Sequence, residues 1–310
     1  MIKRTLYFSN PAYLSLRNKQ LVLKMPEEKN GENEIESVKT ESVRTFPIED
    51  IGVIILDNKQ LTITHGLLEA LLENNCAVIT CDLRSMPVGL LLPLDGHNTQ
   101  RERFTQQIES SLPLRKQLWQ QTIRMKISNQ EAVLRKHTRA ETRCMKKWAE
   151  DVRSGDPDNL EGRAAVYYWK NIFAAEVPEF LRGREEMPPN NLLNYGYAIL
   201  RAIVARGLVS SGLLPTLGIH HHNRYNAYCL ADDIMEPYRP YVDELILEII
   251  RDRECYTLSR ELKAKMLSIP VLDVTINGQR SPLMIAVTTT TASLAKCFTG
   301  ESRKIIYPEM

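Results

Sequence analysis

The chain carries two hydrophobic rhythms. Up to about residue 96, apolar side chains alternate or cluster in short runs, and from about residue 99 they recur at three and four positions. Leu14 and Leu16, then Leu21 and Leu23, alternate on either side of Arg17-Asn18-Lys19-Gln20, which predicts a β-hairpin. Residues 52–57 and 77–81 are apolar runs of strand length. Between them Thr64 precedes Leu67, Leu68, Leu71 and Leu72, the spacing of a capped helix. Residues 26–42 are charged and contain glycine, and read as an excursion between strands.

Leu94-Asp95-Gly96-His97-Asn98 is rich in turn formers and marks a boundary. Beyond it Leu114, Leu118, Ile123 and Ile127 form one apolar stripe. Residues 192–211 read as a buried helix, and 240–252 and 258–267 as two more. Residues 288–310 show no strong pattern before Lys296 and read as a tail suited to docking on a partner. The expected fold is therefore α+β: a small β-rich N-terminal domain over 1–96, then a larger all-α domain over 97–310.

Charge sharpens this division. The net charge is only +2, but residues 31–95 hold 4 basic and 11 acidic side chains, while residues 101–153 hold 13 basic and 6 acidic. A field of one sign attracts a polyanion. Arg135, Lys136, Arg139, Arg143, Lys146 and Lys147 are the candidate DNA contacts; a solvated helix surface would read the same. Six cysteines without Cys-x-x-Cys spacing suit reduced thiols. The polar turn at Ser9-Asn10-Pro11 ends the opening apolar stretch too early for a signal peptide, and no run of about 18 apolar residues follows. Both features point to a cytoplasmic protein with no membrane partner.

The candidate chemistry lies in two segments. Gly218-Ile219-His220-His221-His222 delivers three imidazoles, and Asp233 and Glu236 follow, three apart and so on one face of a helix. Imidazole and carboxylate are ligands of divalent metals, although a solvated loop and a capped helix start would look alike. Asn159-Leu160-Glu161-Gly162-Arg163-Ala164-Ala165 reads as a helix start, with Asn159 or Asp158 as cap and Glu161 in the first turn. Gly162 weakens that turn, which is tolerable where something approaches the backbone closely.

These blocks, with Asp233-Ile234-Met235-Glu236-Pro237-Tyr238-Arg239-Pro240 and the run 87–94, resemble the CRISPR-associated integrase, the catalytic subunit of the spacer-acquisition complex. The form is most similar to the branch accompanying a single-protein effector nuclease. The resemblance implies metal-dependent DNA strand transfer, in which the 3′-hydroxyl of a captured fragment attacks a repeat phosphodiester. It implies Glu161, His221 and Glu236 as ligands of Mg²⁺ or Mn²⁺, with His220 and His222 competing for the histidine role. Asp233 would bind the metal directly or through water. Arg239 would orient Glu236, Arg224 would hold a phosphate, and Tyr168 would face the scissile phosphate or pack. The implied partners are double-stranded DNA, a second copy through the N-terminal domain, a small ferredoxin-like subunit completing a heterohexamer, and the effector nuclease. The rival functions are a catalytically idle DNA-binding scaffold and an unrelated metal phosphoesterase.

Overall fold

In the computed structural model, residues 3–26, 43–183, 188–252 and 259–310 are described. The chain forms two compact units, Met1–Leu94 and Asp95–Met310. Most of the excursion expected over 26–42 lies outside the described residues.

The first unit holds β1 (Arg4–Phe8), β2 (Ala12–Arg17), β3 (Gln20–Lys24), β4 (Val43–Pro47), β5 (Ile51–Leu56), β6 (Leu61–Ile63), α1 (His65–Glu73), β7 (Ala77–Cys81) and β8 (Pro87–Leu91). The strands make two four-stranded sheets, ordered β1-β5-β7-β8 and β4-β3-β2-β6. The expected hairpin forms with Leu14 opposite Leu23 and Leu16 opposite Leu21. Its turn residues Asn18 and Lys19 both have positive φ, 51° and 59°, which matches the twist of the flanking strands. Strand β5 pairs in parallel with β1 and β7, and Ile51, Val53, Ile54 and Ile55 are all buried. A central parallel strand hides both faces, so its sequence is apolar throughout rather than alternating. Leu14, Leu21, Ile54, Leu67, Leu71 and Val78 join one core cluster.

The second unit contains α2 (Gln100–Ile108), α3 (Leu112–His137), α4 (Arg143–Asp151), α5 (Leu160–Ile172), α6 (Asn190–Ser210), α7 (Cys229–Met235), α8 (Arg239–Asp252), α9 (Arg260–Met266) and α10 (Leu283–Phe298). A 3-10 turn, Glu236–Tyr238, joins α7 to α8. Among the described residues, α6 is the one helix long and apolar enough to cross a membrane, and 83% of its apolar stretch is buried within the unit.

The all-α expectation for this unit is corrected by a hairpin of β9 (Asp273–Ile276) and β10 (Gln279–Pro282). Val274 and Ile276 face inward while Asp273 and Thr275 are exposed, and the turn is Asn277-Gly278, both with positive φ. The patternless tail is also corrected. Helix α10 contains a threonine run whose hydroxyls bond back into the helix: Thr288 Oγ1 donates to Met284 O at 3.2 Å and Thr291 Oγ1 to Thr288 O at 3.2 Å. Thr290 and Thr291 lie buried because their hydroxyls are satisfied, Thr291 within the helix and Thr290 by donating to Ile306 O at 2.6 Å, and polar residues on the buried face hide the apolar period. The last residues dock on this chain itself. Tyr307 Oη is 2.8 Å from Thr122 Oγ1, and Asn129 Nδ2 donates to Pro308 O at 3.0 Å.

Candidate active site

Helix α3 is the spine of the site. Trp119, Thr122, Lys126 and Asn129 recur at helical spacing and are all buried, so one polar stripe lies inside an otherwise apolar interface. Lys126 is the member that matters most. Its Nζ lies 2.7 Å from Glu161 Oε1 and 2.6 Å from Glu236 Oε2. The second contact is a close ion pair, and the Lys126 ammonium is what Glu236 Oε2 meets in its buried position.

Local chemistry explains how each carboxylate arrives. Asp156 precedes α5 in the left-handed region, φ 48°, and accepts from the N–H groups of Leu160 and Glu161, both at 2.9 Å. Asn159, also left-handed at φ 49°, caps the helix by accepting from Gly162 N–H at 3.2 Å. Asp158 is not the cap; it pairs with Arg153 at 2.7 Å. A Cβ at residue 162 would sit 2.7 Å from Asn159 Nδ2, so glycine is what lets the cap close. Glu161 is thereby fixed in the first turn of α5. Glu236 opens the 3-10 turn, whose Pro237 carbonyl accepts from Asn129 Nδ2 at 2.8 Å. Arg239 Nε donates to Glu236 Oε1 at 2.9 Å. Burial alone would raise the Glu236 carboxyl, but the Arg239 and Lys126 charges outweigh it and hold the pKa at about 2.

The histidines divide by role. His220 stacks on Trp119, with ring centroids 4.1 Å apart and planes 1° from parallel, and burial lowers its pKa. His222 is exposed. His221 presents Nδ1 2.5 Å from Asp233 Oδ1, and among the described residues no hydrogen bond reaches its Nε2. The Asp233 hydrogen bond raises the His221 pKa, with smaller contributions from the Glu236 and Glu161 charges nearby. Asp233 is fully buried and accepts from the N–H groups of Ile219, His220 and His221 at 2.7, 3.0 and 3.2 Å. Direct metal binding by Asp233 is therefore corrected: its oxygens are spent on the loop. A Cβ at residue 218 would meet His221 O at 2.4 Å and Asp233 Oδ2 at 2.8 Å, so the loop closes only around glycine.

Other expectations also change. Tyr168 is fully buried and donates to Asp243 Oδ2 at 3.0 Å, so it packs and does not face a phosphate. Tyr197 Oη also bonds Asp243, whose pKa burial pushes up to about 7. Arg224 is exposed, its guanidinium 4.9 Å from the Tyr225 ring, and it borders a cavity of about 380 Å³ that His221 and His222 also line. Arg135, Lys136, Arg139, Arg143, Lys146 and Lys147 are all exposed around the end of α3 and on α4. Three carry acidic partners: Arg135 with Glu131 at 3.3 Å, Lys136 with Glu244 at 2.8 Å and Arg143 with Glu141 at 3.6 Å. Exposed pairs are weak, and a phosphate can displace them. Arg124 joins α3 to α4 by donating to the Ala149 and Glu150 carbonyls at the end of α4.

The sequence reading counted Lys126 only among the basic side chains of residues 101–153, not as part of the site, and it missed Trp119. The signal was present, since Lys126 follows Ile123 by three residues and so falls on the buried face of α3. Among the described residues, the one His/Glu trio with ligand atoms within 4.8 Å of one another is His137, Glu244 and Glu248. Glu161, His221 and Glu236 do not gather that closely. The His137 group already holds cations, because Lys136 reaches Glu244 and Arg251 Nη1 lies 3.2 Å from His137 Nδ1.

Residues 6–265 match the family described as CRISPR associated protein Cas1. The chain belongs to the Cas1 family. A similar relative is the CRISPR-associated endonuclease Cas1 of Neisseria meningitidis serogroup C (strain 8013), 34% identical over 306 residues, covering 98% of this chain and 95% of the relative. Among solved structures, a casposase bound to an integration product superposes with a TM-score of 0.76 at 20% identity, covering 98% of this chain and 92% of the other. A Cas6-RT-Cas1–Cas2 complex superposes with a TM-score of 0.72 at 19% identity, covering 99% of this chain and 36% of the other. At these identities the structural neighbours establish that the Cas1 fold is shared.

The donor set is suited to a divalent metal. Two carboxylates from separate elements converge on one cation, and an imidazole nearby is held by a carboxylate through its other nitrogen.

Proposed function

We propose that this chain is a metal-dependent DNA integrase and endonuclease that inserts DNA fragments as new spacers into a CRISPR array. The observation that carries the site assignment is the convergence of Glu161 and Glu236 on the buried Lys126 ammonium. Family membership and the 34% identical relative named as an endonuclease support the activity.

Glu161, Glu236 and His221, through Nε2, would hold Mg²⁺ or Mn²⁺; oxygen donors suit both ions, and the imidazole favours Mn²⁺. Bound there, the ion would act as a Lewis acid on the phosphodiester and stabilise the charge developing in the displacement. The chain's own residues prepare that site. Asp233 fixes the His221 ring and tautomer, leaving Nε2 as the outward nitrogen. Arg239 keeps Glu236 ionised and aimed. In strand transfer the attacking 3′-oxygen forms a bond to phosphorus and loses its proton, while the repeat's own 3′-oxygen leaves and gains one. The exposed cations of α3 and α4 would hold the DNA backbone near these carboxylates, and Arg224 would hold a phosphate beside His221.

The partners follow from the same reading. They are fragment and repeat DNA, a second copy through the N-terminal unit, and a small ferredoxin-like subunit that completes a heterohexamer. A solved relative is itself a complex with Cas2, which supports a partner of that kind. A single-protein effector nuclease is a further partner under this reading, and the protein works in the cytoplasm.

The test is strand transfer of a labelled fragment into a repeat duplex, run beside hydrolysis of a small phosphodiester. Glu161→Gln, His221→Ala and Glu236→Gln should each lower transfer by at least about 100-fold, and chelation should abolish it. Unchanged circular dichroism would show that the fold is retained. DNA binding without turnover in the unmodified chain would support an idle scaffold instead. Turnover of the small diester but not of DNA would support a phosphoesterase.

A further inference from the structure

Lys126 is placed where a surface lysine would never be. Its side chain is 10% exposed, and its ammonium touches two carboxylates that come from different elements. Arg239 already neutralises Glu236 through Oε1 at 2.9 Å. Two fixed cations thus balance two fixed anions. A divalent ion arriving on the same carboxylates would add two more positive charges at a buried position, where Coulomb repulsion is poorly screened. The ion and the ammonium cannot share Glu161 Oε1 and Glu236 Oε2 without penalty.

Resting on the metal reading above, we propose that Lys126 is an internal counter-ion of the metal-free site. It occupies the cradle before loading, competes with the divalent ion for those two oxygens, and withdraws when the ion binds. Three features support this role. Without a cation the buried Glu236 and the partly exposed Glu161 carboxylates would repel each other, and the ammonium offsets that repulsion. The lysine stem is flexible, and a cavity of about 130 Å³ beside it is lined by Glu236 and Asp243 as well as by Arg182 and Arg239. The ammonium thus has space to shift and a second carboxyl, Asp243, to meet against the like charge of the two guanidinium groups. Asn129 and Arg239 hold the Glu236 turn independently, so the cradle persists when Lys126 leaves.

The consequence is a metal affinity set below what the ligands alone would give. Titration of the full chain with Mn²⁺ alone, without DNA, reads this directly by calorimetry. Lys126→Met should bind Mn²⁺ more tightly, on the order of tenfold or more, because it keeps the stem and removes the charge. Lys126→Arg, which keeps the charge, should not gain. Glu161→Gln should lose binding in both the unmodified and the Lys126→Met backgrounds. If Lys126→Met binds equally or more weakly while Glu161→Gln still abolishes binding, the counter-ion role is overturned and the metal reading survives. If Mn²⁺ binding ignores Glu161→Gln, the metal reading falls and takes this inference with it. The unmodified chain gives a second measurement that needs no variant to fold. Reductive methylation followed by peptide mapping should find Lys126 shielded without metal and more reactive with saturating Mn²⁺; equal reactivity would overturn the displacement.

Discussion

A single carboxylate, Asp233, gathers the histidine loop by accepting three backbone N–H groups and one imidazole nitrogen. The imidazole contact carries a pH signature. The Asp233 hydrogen bond raises the folded-state pKa of His221 above 6.5. The folded chain then holds the proton more tightly than the unfolded chain, so this contribution is complete below 6.5 and is lost as pH climbs through the raised value. Asp233→Asn should therefore cost more stability near about pH 5.5 than near about pH 8.5, read by denaturant unfolding at each pH. An equal cost at both would mean that the pair is neutral and that only the backbone contacts matter. Asp243 behaves in the same sense for a different reason. Burial lifts its pKa from 3.8 to about 7, so its favourable contribution is present below 3.8 and gone above about 7.

Among the elements, α5 shows how local chemistry builds a site. Asn159 combines a left-handed backbone with a side-chain cap. Asn159→Ala should lose both, at a cost of about 1–2 kcal/mol in unfolding free energy, while Asn159→Gly recovers the backbone part. An alanine variant as stable as the parent would show that Asp156 caps the helix alone. The sequence showed a capped start with Asn159 or Asp158 as cap and a glycine open to close approach, because these signals act within one turn; the structure makes Asn159 the cap and its side chain the close neighbour of Gly162. The β2–β3 hairpin was legible for the same reason. The β9–β10 hairpin was equally local, and its Asn277-Gly278 turn was the signal passed over. Helix α10 and the docked tail were not legible, because buried threonines masked the helical period and the tail's partners lie on α3. Of the site, the acid and imidazole residues were readable as local motifs. For Lys126 the burial was readable from its spacing after Ile123, but the role was not, because nothing within its own helix says that two carboxylates from distant segments will close over it.

For the whole molecule, the basic surface should govern DNA affinity. Reversing Arg143, Lys146 and Lys147 to glutamate should weaken binding across all sequences and flatten its salt dependence, by about 0.9 in logarithmic slope for each phosphate no longer neutralised. The exposed side chains of α4 would be a mere solvated face if the slope did not move. The same scale gives the site a safeguard. Its parts come from α3, the start of α5, and the loop and turn that flank α7, three stretches well separated in sequence. A copy still emerging during synthesis, or one partly unfolded by heat, has no place for a phosphodiester, whichever acidic and imidazole groups it already carries. A DNA-cutting enzyme is safest when cutting competence arrives last, and contacts between distant parts of a chain must first meet the cost of closing the loop between them.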